Sequence, residues 1–303
     1  AFCYCRGLTG TLVFPARFKR FETKNGSTKG AFMSCTNLQK LDFSACAELT
    51  EIGGYAFREC KGLTEVHWPA NLTTIGYCAF ASCTGLTQVN LPAAVTTIDD
   101  GAFADCTGLR GTLVFPASFK RFETRDNSII GAFNDCRNLQ GVDFSACAEL
   151  TDIGESAFVN CTGLTQVNWP ANLKTIGKSA FLRCSGLTGT LNLPVNLTTI
   201  GEEAFAACTG LTGTLNLPAA LTTIGERAFS VCKGLTQVHL PAALRTIGRY
   251  AFWHCTGLTG TLNLPTNLEI IGEGAFSDCA GLTGTLNLPA NLTTIADKVF
   301  ENC

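Results

Sequence analysis

Phenylalanine returns along this chain at a nearly fixed interval, and that interval limits what the chain can fold into. It recurs at Phe2, Phe32, Phe57, Phe80, Phe103, Phe133, Phe158, Phe181, Phe205, Phe229, Phe252, Phe276 and Phe300. The steps are 23 to 25 residues, except for two of 30 that end at Phe32 and Phe133. A cysteine follows each of these thirteen phenylalanines by three positions, from Cys5 to Cys303. An alanine precedes every one but the last, where Val299 stands. A period of this size marks an array of small units, each completed by its neighbours. No linker or low-complexity segment interrupts the series, so residues 1–303 read as a single array of about 12 to 13 repeats.

One unit, Cys83 to Cys106, shows the local logic. Leu86, Val89 and Leu91 give L-x-x-V-x-L, a short strand with Val89 and Leu91 facing inward at period two. Pro92 ends that strand, because it has no N–H to donate and a fixed φ. Val95 and Ile98 are expected to turn the chain back beneath it. Ala102, Phe103 and Cys106 stand at i, i+1 and i+4, the spacing of one α or 3₁₀ turn. Such a unit buries too few apolar side chains to offset ordering two dozen residues alone. Stacked units share their apolar faces and complete a parallel sheet of about twelve strands spaced at roughly 4.8 Å.

The departures from regularity are themselves ordered. After Phe21 and after Phe122 the chain inserts Glu22–Gly30 and Glu123–Gly131, where ordinary repeats need three residues. Residues 1–50 and 102–151 match at 35 of 50 positions, so 1–101 and 102–202 read as a duplicated four-repeat block. The 24-residue units carry an extra glycine before the strand, at Gly189, Gly213, Gly260 and Gly284, which suits a bulge or tight bend. Both ends fall in mid-repeat without a polar cap, and the reading is a fragment of a longer protein.

Composition narrows the function. Charged residues make up 15% of the chain, well below the roughly 25% of an average soluble protein. Lys plus Arg number 22 against 24 Asp plus Glu, without the basic excess of a nucleic-acid binder. No apolar run of about 18 residues provides a transmembrane segment.

The 17 cysteines contain no C-x-x-C pair, so zinc-ribbon and thioredoxin chemistry lack their spacing. Thirteen in one column read as buried, reduced thiols acting as small apolar groups. Cys46 and Cys147 match each other across the duplication and also read as structural. Cys78 is the candidate exposed thiol. His67 and His239 share a column but lie seven repeats apart, roughly 35 Å at the sheet spacing, and cannot share a metal or a proton. His254 sits on the turn. No Ser–His–Asp or Cys–His arrangement assembles, and the reading is non-enzymatic, with no cofactor.

Outward strand positions form two columns. One holds Glu65, Gln88, Gln166, Thr190, Thr214, Gln237, Thr261 and Thr285; the other holds His67, Asn90, Asn168, Asn192, Asn216, His239, Asn263 and Asn287. They are either a solvated face bonded along the ladder or a neutral hydrogen-bonding surface for a protein or glycan. The long repeats are basic, with Arg17, Lys19, Arg20, Lys24 and Lys29 in the first and Lys120, Arg121 and Arg125 in the second. These are solvated loop charges or, since loops longer than a scaffold needs often carry function, a two-pronged grip on an acidic partner. Of five N-x-S/T sequons, Asn71, Asn196 and Asn291 share a repeat position and read as structural; Asn25 is the plausible acceptor.

The L-x-x-V-x-L core resembles a leucine-rich repeat. The longer string through Leu217-Pro218, Leu221, Ile224-Gly225, Ala228-Phe229 and Cys232 resembles the BspA-like leucine-rich repeat family along the whole chain. The resemblance implies an α/β leucine-rich repeat solenoid, with a parallel β-sheet on the concave face and short helical turns on the other side. It also implies a cell-surface or secreted protein that binds other macromolecules, in adhesion or recognition. A scaffold or structural subunit of an intracellular or organellar assembly is the alternative.

Overall fold

A strand of the L-x-x-V-x-L type, a Pro-led turn, a second short strand and a tight double bend make one coil, and the coils stack in parallel. The structure, a computed structural model, describes residues 2–21, 29–124 and 130–303. It divides into two compact units: residues 1–150 with 160–168, and residues 151–159 with 169–303. Both are parallel β-solenoids in which each coil bonds to the next through up to three main-chain ladders.

The first ladder is the expected one, but it is interrupted. In the first unit Gly10–Val13, Leu38–Asp42 and Glu65–His67 form one sheet, and Thr112–Val114, Gly141–Asp143 and Gln166–Asn168 another. Nothing pairs at 88–90 between them. In the second unit Thr212–Asn216 pairs with Gly234–His239, and Thr259–Gly260 with Gly281–Leu282. A continuous twelve-strand sheet is therefore not what forms. The glycines inserted before these strands take φ of 73° to 89° at Gly189, Gly213, Gly260 and Gly284. At Gly213/Thr214 the register shifts by a bulge, as the extra residue requires.

The second ladder corrects a sequence expectation. Val95 to Ile98 does more than turn back: Thr97–Asp99 is a strand between Thr74–Ile75 and Arg121–Glu123, with Glu51–Ile52 at the edge. In the second unit six Thr–Ile-type strands, from Asp152–Ile153 to Ile270–Ile271, run in one sheet. The last isoleucine of each strand is buried, and a threonine just before the strand bonds main chain of the coil before, as Thr222 Oγ1 does to the Thr198 carbonyl at 3.1 Å.

The third side is not helical; no helix occurs among the described residues. Residues two before and two after the core phenylalanine adopt left-handed φ of 50° to 64° in coil after coil, for example Arg227 and Val231 around Phe229. With the bonds Ala228 N–H to Gly225 and Cys232 N–H to Phe229, each left-handed residue is the third position of a type II turn. The reason is the stacking direction. The Phe229 N–H donates to the Ala251 carbonyl at 2.8 Å, and the Val231 N–H to the Trp253 carbonyl at 2.8 Å. An α-helical turn would direct those N–H groups within its own coil. Bonding to the next coil offsets the roughly 1–2 kcal/mol each left-handed non-glycine residue costs.

Inside the coil, the phenylalanine rings stack. In the first unit successive rings from Phe2 to Phe133 lie 5.1 to 5.5 Å apart; in the second, from Phe158 to Phe300, 5.2 to 5.7 Å. Separations of this size fall in the preferred range for aromatic pairs. Glycines stand where one coil's backbone crosses close above another: a Cβ on Gly210 would come within 2.3 Å of the Ser185 carbonyl oxygen. In the long repeats, added phenylalanines fill the coil. Phe14 packs on Phe18, Phe21 and Phe43, and Phe115 on Phe119, Phe122 and Phe144.

The cysteine column has a definite bonding role. Twelve of its thirteen thiols donate to the core phenylalanine carbonyl of the preceding coil at 3.1 to 3.2 Å, from Cys35 to Phe2 through Cys303 to Phe276. All seventeen cysteines are free thiols. Cys46 and Cys147 bond to the Pro15 and Pro116 carbonyls at 3.5 and 3.4 Å. Cys78, expected to be exposed, is buried beside Tyr77. Burial pushes the thiols of Cys106 and Cys208 up to about 12 from the ordinary 9.0.

Two outcomes follow from this packing. Phe229→Ala removes a fully buried ring and is expected to cost about 3–5 kcal/mol. Thr223→Ala, at a half-buried strand position, should cost about 1 kcal/mol, and urea midpoints measure the difference. The thiols set a pH dependence. Because the folded chain holds its protons more tightly, the stability contribution is complete below pH 9.0, the ordinary thiol value, and is lost as pH rises toward about 12. Urea midpoints should therefore fall across that window, and fall less in Cys106→Ala and Cys208→Ala.

Candidate binding face

The two outward columns lie where the strand pleat predicts. Gln88, Asn90, Asn192, Asn216, Gln237, His239, Thr261, Asn263, Thr285 and Asn287 are exposed, as are His67, Gln166 and Thr190, while Glu65, Asn168 and Thr214 are half-buried. The residues between the columns, Val89, Leu191, Leu215 and Leu262, are buried. The column side chains bond one another. Asn216 Oδ1 lies 2.8 Å from His239 Nδ1, the Gln166 amide donates to Asn168 at 2.8 Å, and Thr214 donates to Gln237 at 3.4 Å. In the first unit His67 Nε2 is 2.7 Å from Glu65, which also takes Lys40 at 2.7 Å. These two partners, through hydrogen bonds and charge, hold the Glu65 carboxyl below its usual range. The columns are thus oriented by their own contacts.

The interruptions of the first ladder open clefts in this face. In the first unit a cleft of about 400 Å³ is lined by Lys40, Glu65, Gln88, Asn90 and Trp68. In the second, one of about 230 Å³ is lined by Gln237, His239, Thr261 and Asn263 above Leu262 and Leu282. Sequence spacing gave no sign of these gaps, since column residues keep their order across them. The Trp68 ring packs edge-on against Phe80 at 5.4 Å and forms a fixed wall.

The basic residues are less available than their number implies. Lys19 pairs with Glu48 at 2.7 Å, and Lys120 pairs with Glu149 at 2.9 Å, the same contact at matching positions of the similar stretches 1–50 and 102–151. Arg121 pairs with Glu123 at 2.8 Å. Arg17, Arg20 and Lys29 are exposed. Lys24, Arg125 and the sequon residue Asn25 lie outside the described residues. The sequon asparagines Asn71 and Asn196 donate their amides to the Ala47 and Ala171 carbonyls at 2.9 and 3.0 Å, a structural use. Among the described residues, no group of three or more His, Cys, Asp or Glu could hold a metal ion, and no helix is long and apolar enough to cross a membrane.

The chain belongs to the family described as the BspA type leucine rich repeat region, whose model matches residues 1–128, 129–214 and 188–303. A leucine-rich repeat protein from Bacteroides ovatus shares the fold, with 23% identity, a TM-score of 0.60, and coverage of 97% of this chain and 84% of that one. A leucine-rich repeat protein of T. pallidum is 25% identical over 69% of this chain and 78% of its own, with a TM-score of 0.45. A leucine rich cell surface protein from Faecalibacterium prausnitzii is 21% identical over 97% of this chain and 85% of its own, with a TM-score of 0.46. No curated protein is matched.

The exposed pairs Lys19–Glu48 and Lys120–Glu149 should contribute little to folding. A double-mutant cycle on Lys120→Ala and Glu149→Ala is expected to give a coupling of at most about 1 kcal/mol, read from urea midpoints.

Proposed function

We propose that this chain is a non-catalytic, protein-binding repeat module that works in recognition or adhesion at a cell surface or outside the cell. The observation that carries the reading is that both clefts in the strand face are lined by the outward columns themselves, Glu65, Gln88 and Asn90 in one and Gln237, His239, Thr261 and Asn263 in the other. The second cleft, lined by amides, hydroxyls and an imidazole, offers a partner donors and acceptors without the desolvation cost of buried charge. Hydrophobic floors such as Leu262 provide anchor points of the kind that dominate interface energetics. Family membership supports the surface location. Among the described basic residues, Arg17, Lys19, Arg20, Lys29, Lys120 and Arg121 lie outside both clefts, so their charge is expected to change association rate and salt dependence more than affinity.

Beads carrying the full chain should adhere saturably to cell surfaces, with soluble chain competing. Asn216→Arg with His239→Arg, and Asn90→Arg in the first unit, should each weaken adhesion at least tenfold. Lys19→Glu with Lys120→Glu should change it by threefold or less and flatten its salt dependence. Absence of adhesion, with stoichiometric recovery of the native protein in an intracellular complex, would overturn the surface reading in favour of a scaffold.

A further inference from the structure

The turn side of the second unit carries a feature that its repeat pattern does not require. Two positions before the core phenylalanine, successive coils present Arg227, Tyr250, Gly274 and Lys298; one position after it, they present Ser230, Trp253, Ser277 and Glu301. A bulky aromatic pair is thus followed by a small pair and then by a charged pair. Gly274 and Ser277 are buried and form a floor. Tyr250 and Trp253 stand on one side of it, and Lys298 and Glu301 on the other, two coil steps away. The notch encloses about 330 Å³, within the range of small-molecule sites.

The aromatic wall is set before any ligand arrives. A Cβ on Gly274, whose φ is +59°, would fall 2.3 Å from Tyr250 Cε1, so the ring leans over the floor only because glycine is there. The Tyr250 hydroxyl donates to Glu273 at 2.9 Å, and the Arg227 and Arg249 guanidinium groups lie 5.4 and 5.7 Å from its ring centre. Trp253 Nε1–H donates to Asp278 Oδ2 at 2.9 Å, and Asn302 donates to the other oxygen of Asp278 at 2.8 Å. Trp253 is the exposed tryptophan of the three, at 37%, while Trp68 and Trp169 are half-buried and pack edge-on to core phenylalanines.

The chemistry of the lining selects a ligand class. Arg227 and Lys298 balance Asp278 and Glu301, so the notch favours no net charge. The guanidinium groups already beside Tyr250 leave it poorly placed for another cation. What remains is an apolar indole face opposite an ammonium donor and carboxylate acceptors. A pyranose ring matches this, with C–H groups on one face and hydroxyls that both donate and accept at its edge. We propose that this notch is a saccharide-binding site, with Trp253 as the stacking platform and Asp278, Lys298 and Glu301 as hydroxyl partners. It is separate from the strand face and does not depend on the reading of that face.

The test uses the full chain with methyl β-D-galactopyranoside and methyl β-D-glucopyranoside as probes. Saturation-transfer NMR should show transfer to the ring C–H protons of at least one probe. With Trp68→Phe and Trp169→Phe leaving Trp253 as the sole indole, the same probe should quench fluorescence saturably. Trp253→Ala should abolish the transfer with the far-ultraviolet circular dichroism spectrum unchanged, and Lys298→Ala with Glu301→Gln should weaken binding at least fivefold. No transfer to either probe, or transfer that survives Trp253→Ala, would overturn the proposal. Tighter binding of acetate or of lysine methyl ester than of either glycoside would overturn the assignment to a neutral ligand.

Discussion

Main-chain N–H groups passed from one coil to the next at a single step underlie the rest of the structure. On the turn side the core phenylalanine N–H reaches the alanine, or once the valine, carbonyl of the following coil at 2.7 to 2.9 Å. The stacked rings keep to the same step. A ladder of this kind admits only backbone that points its N–H along the stacking axis. Left-handed residues appear twice in most coils for that reason, even where the side chain is arginine, valine or tyrosine. Some glycines stand where neighbouring backbones approach too closely for a Cβ, as Gly210 does, and others, such as Gly189 and Gly260, where the inserted residue takes a positive φ in open space.

Much of this was legible from spacing. The Phe–Cys column, the inward leucines and the outward Asn and Gln columns all follow from a repeat read against the pleat of a strand. The turn is ambiguous in sequence, because Ala102, Phe103 and Cys106 stand at helical spacing and burial of one face looks the same in a helical turn as in successive type II turns. A signal was available: Asp105, Asp135, Asn160, His254, Asp278 and Asn302 occupy the position before the column cysteine, and these residue types favour the left-handed region. The Thr–Ile strand leaves little trace in the sequence, because its ordered stretch is two or three residues long in each coil where it forms. So short a segment shows no alternation, and its pairing lies 23 or 24 residues away.

The sites were less legible than the scaffold. Column membership placed Gln237, His239, Thr261 and Asn263 on one face, but not the interruption of the ladder that makes a cleft among them. Basic residues that cluster in sequence turned out to be matched in part by acids one coil further along, as Lys19 is by Glu48. The aromatic notch depends on residues two and three coils apart whose meaning lies in their order: large, small, charged. Periodicity reports what successive units have in common, whereas binding sites arise from what differs between them.

The thiol ladder has a consequence for where such a fold can operate. Each buried column cysteine spends its proton on a carbonyl of the coil before, and burial discourages the thiolate that oxidation and disulfide exchange require. Stability of the interior therefore rests neither on forming cross-links nor on a reductant to keep them open. The buried part of such a stack needs neither an oxidising nor a reducing surrounding to keep its covalent structure, so the interior places no demand on oxidative folding machinery.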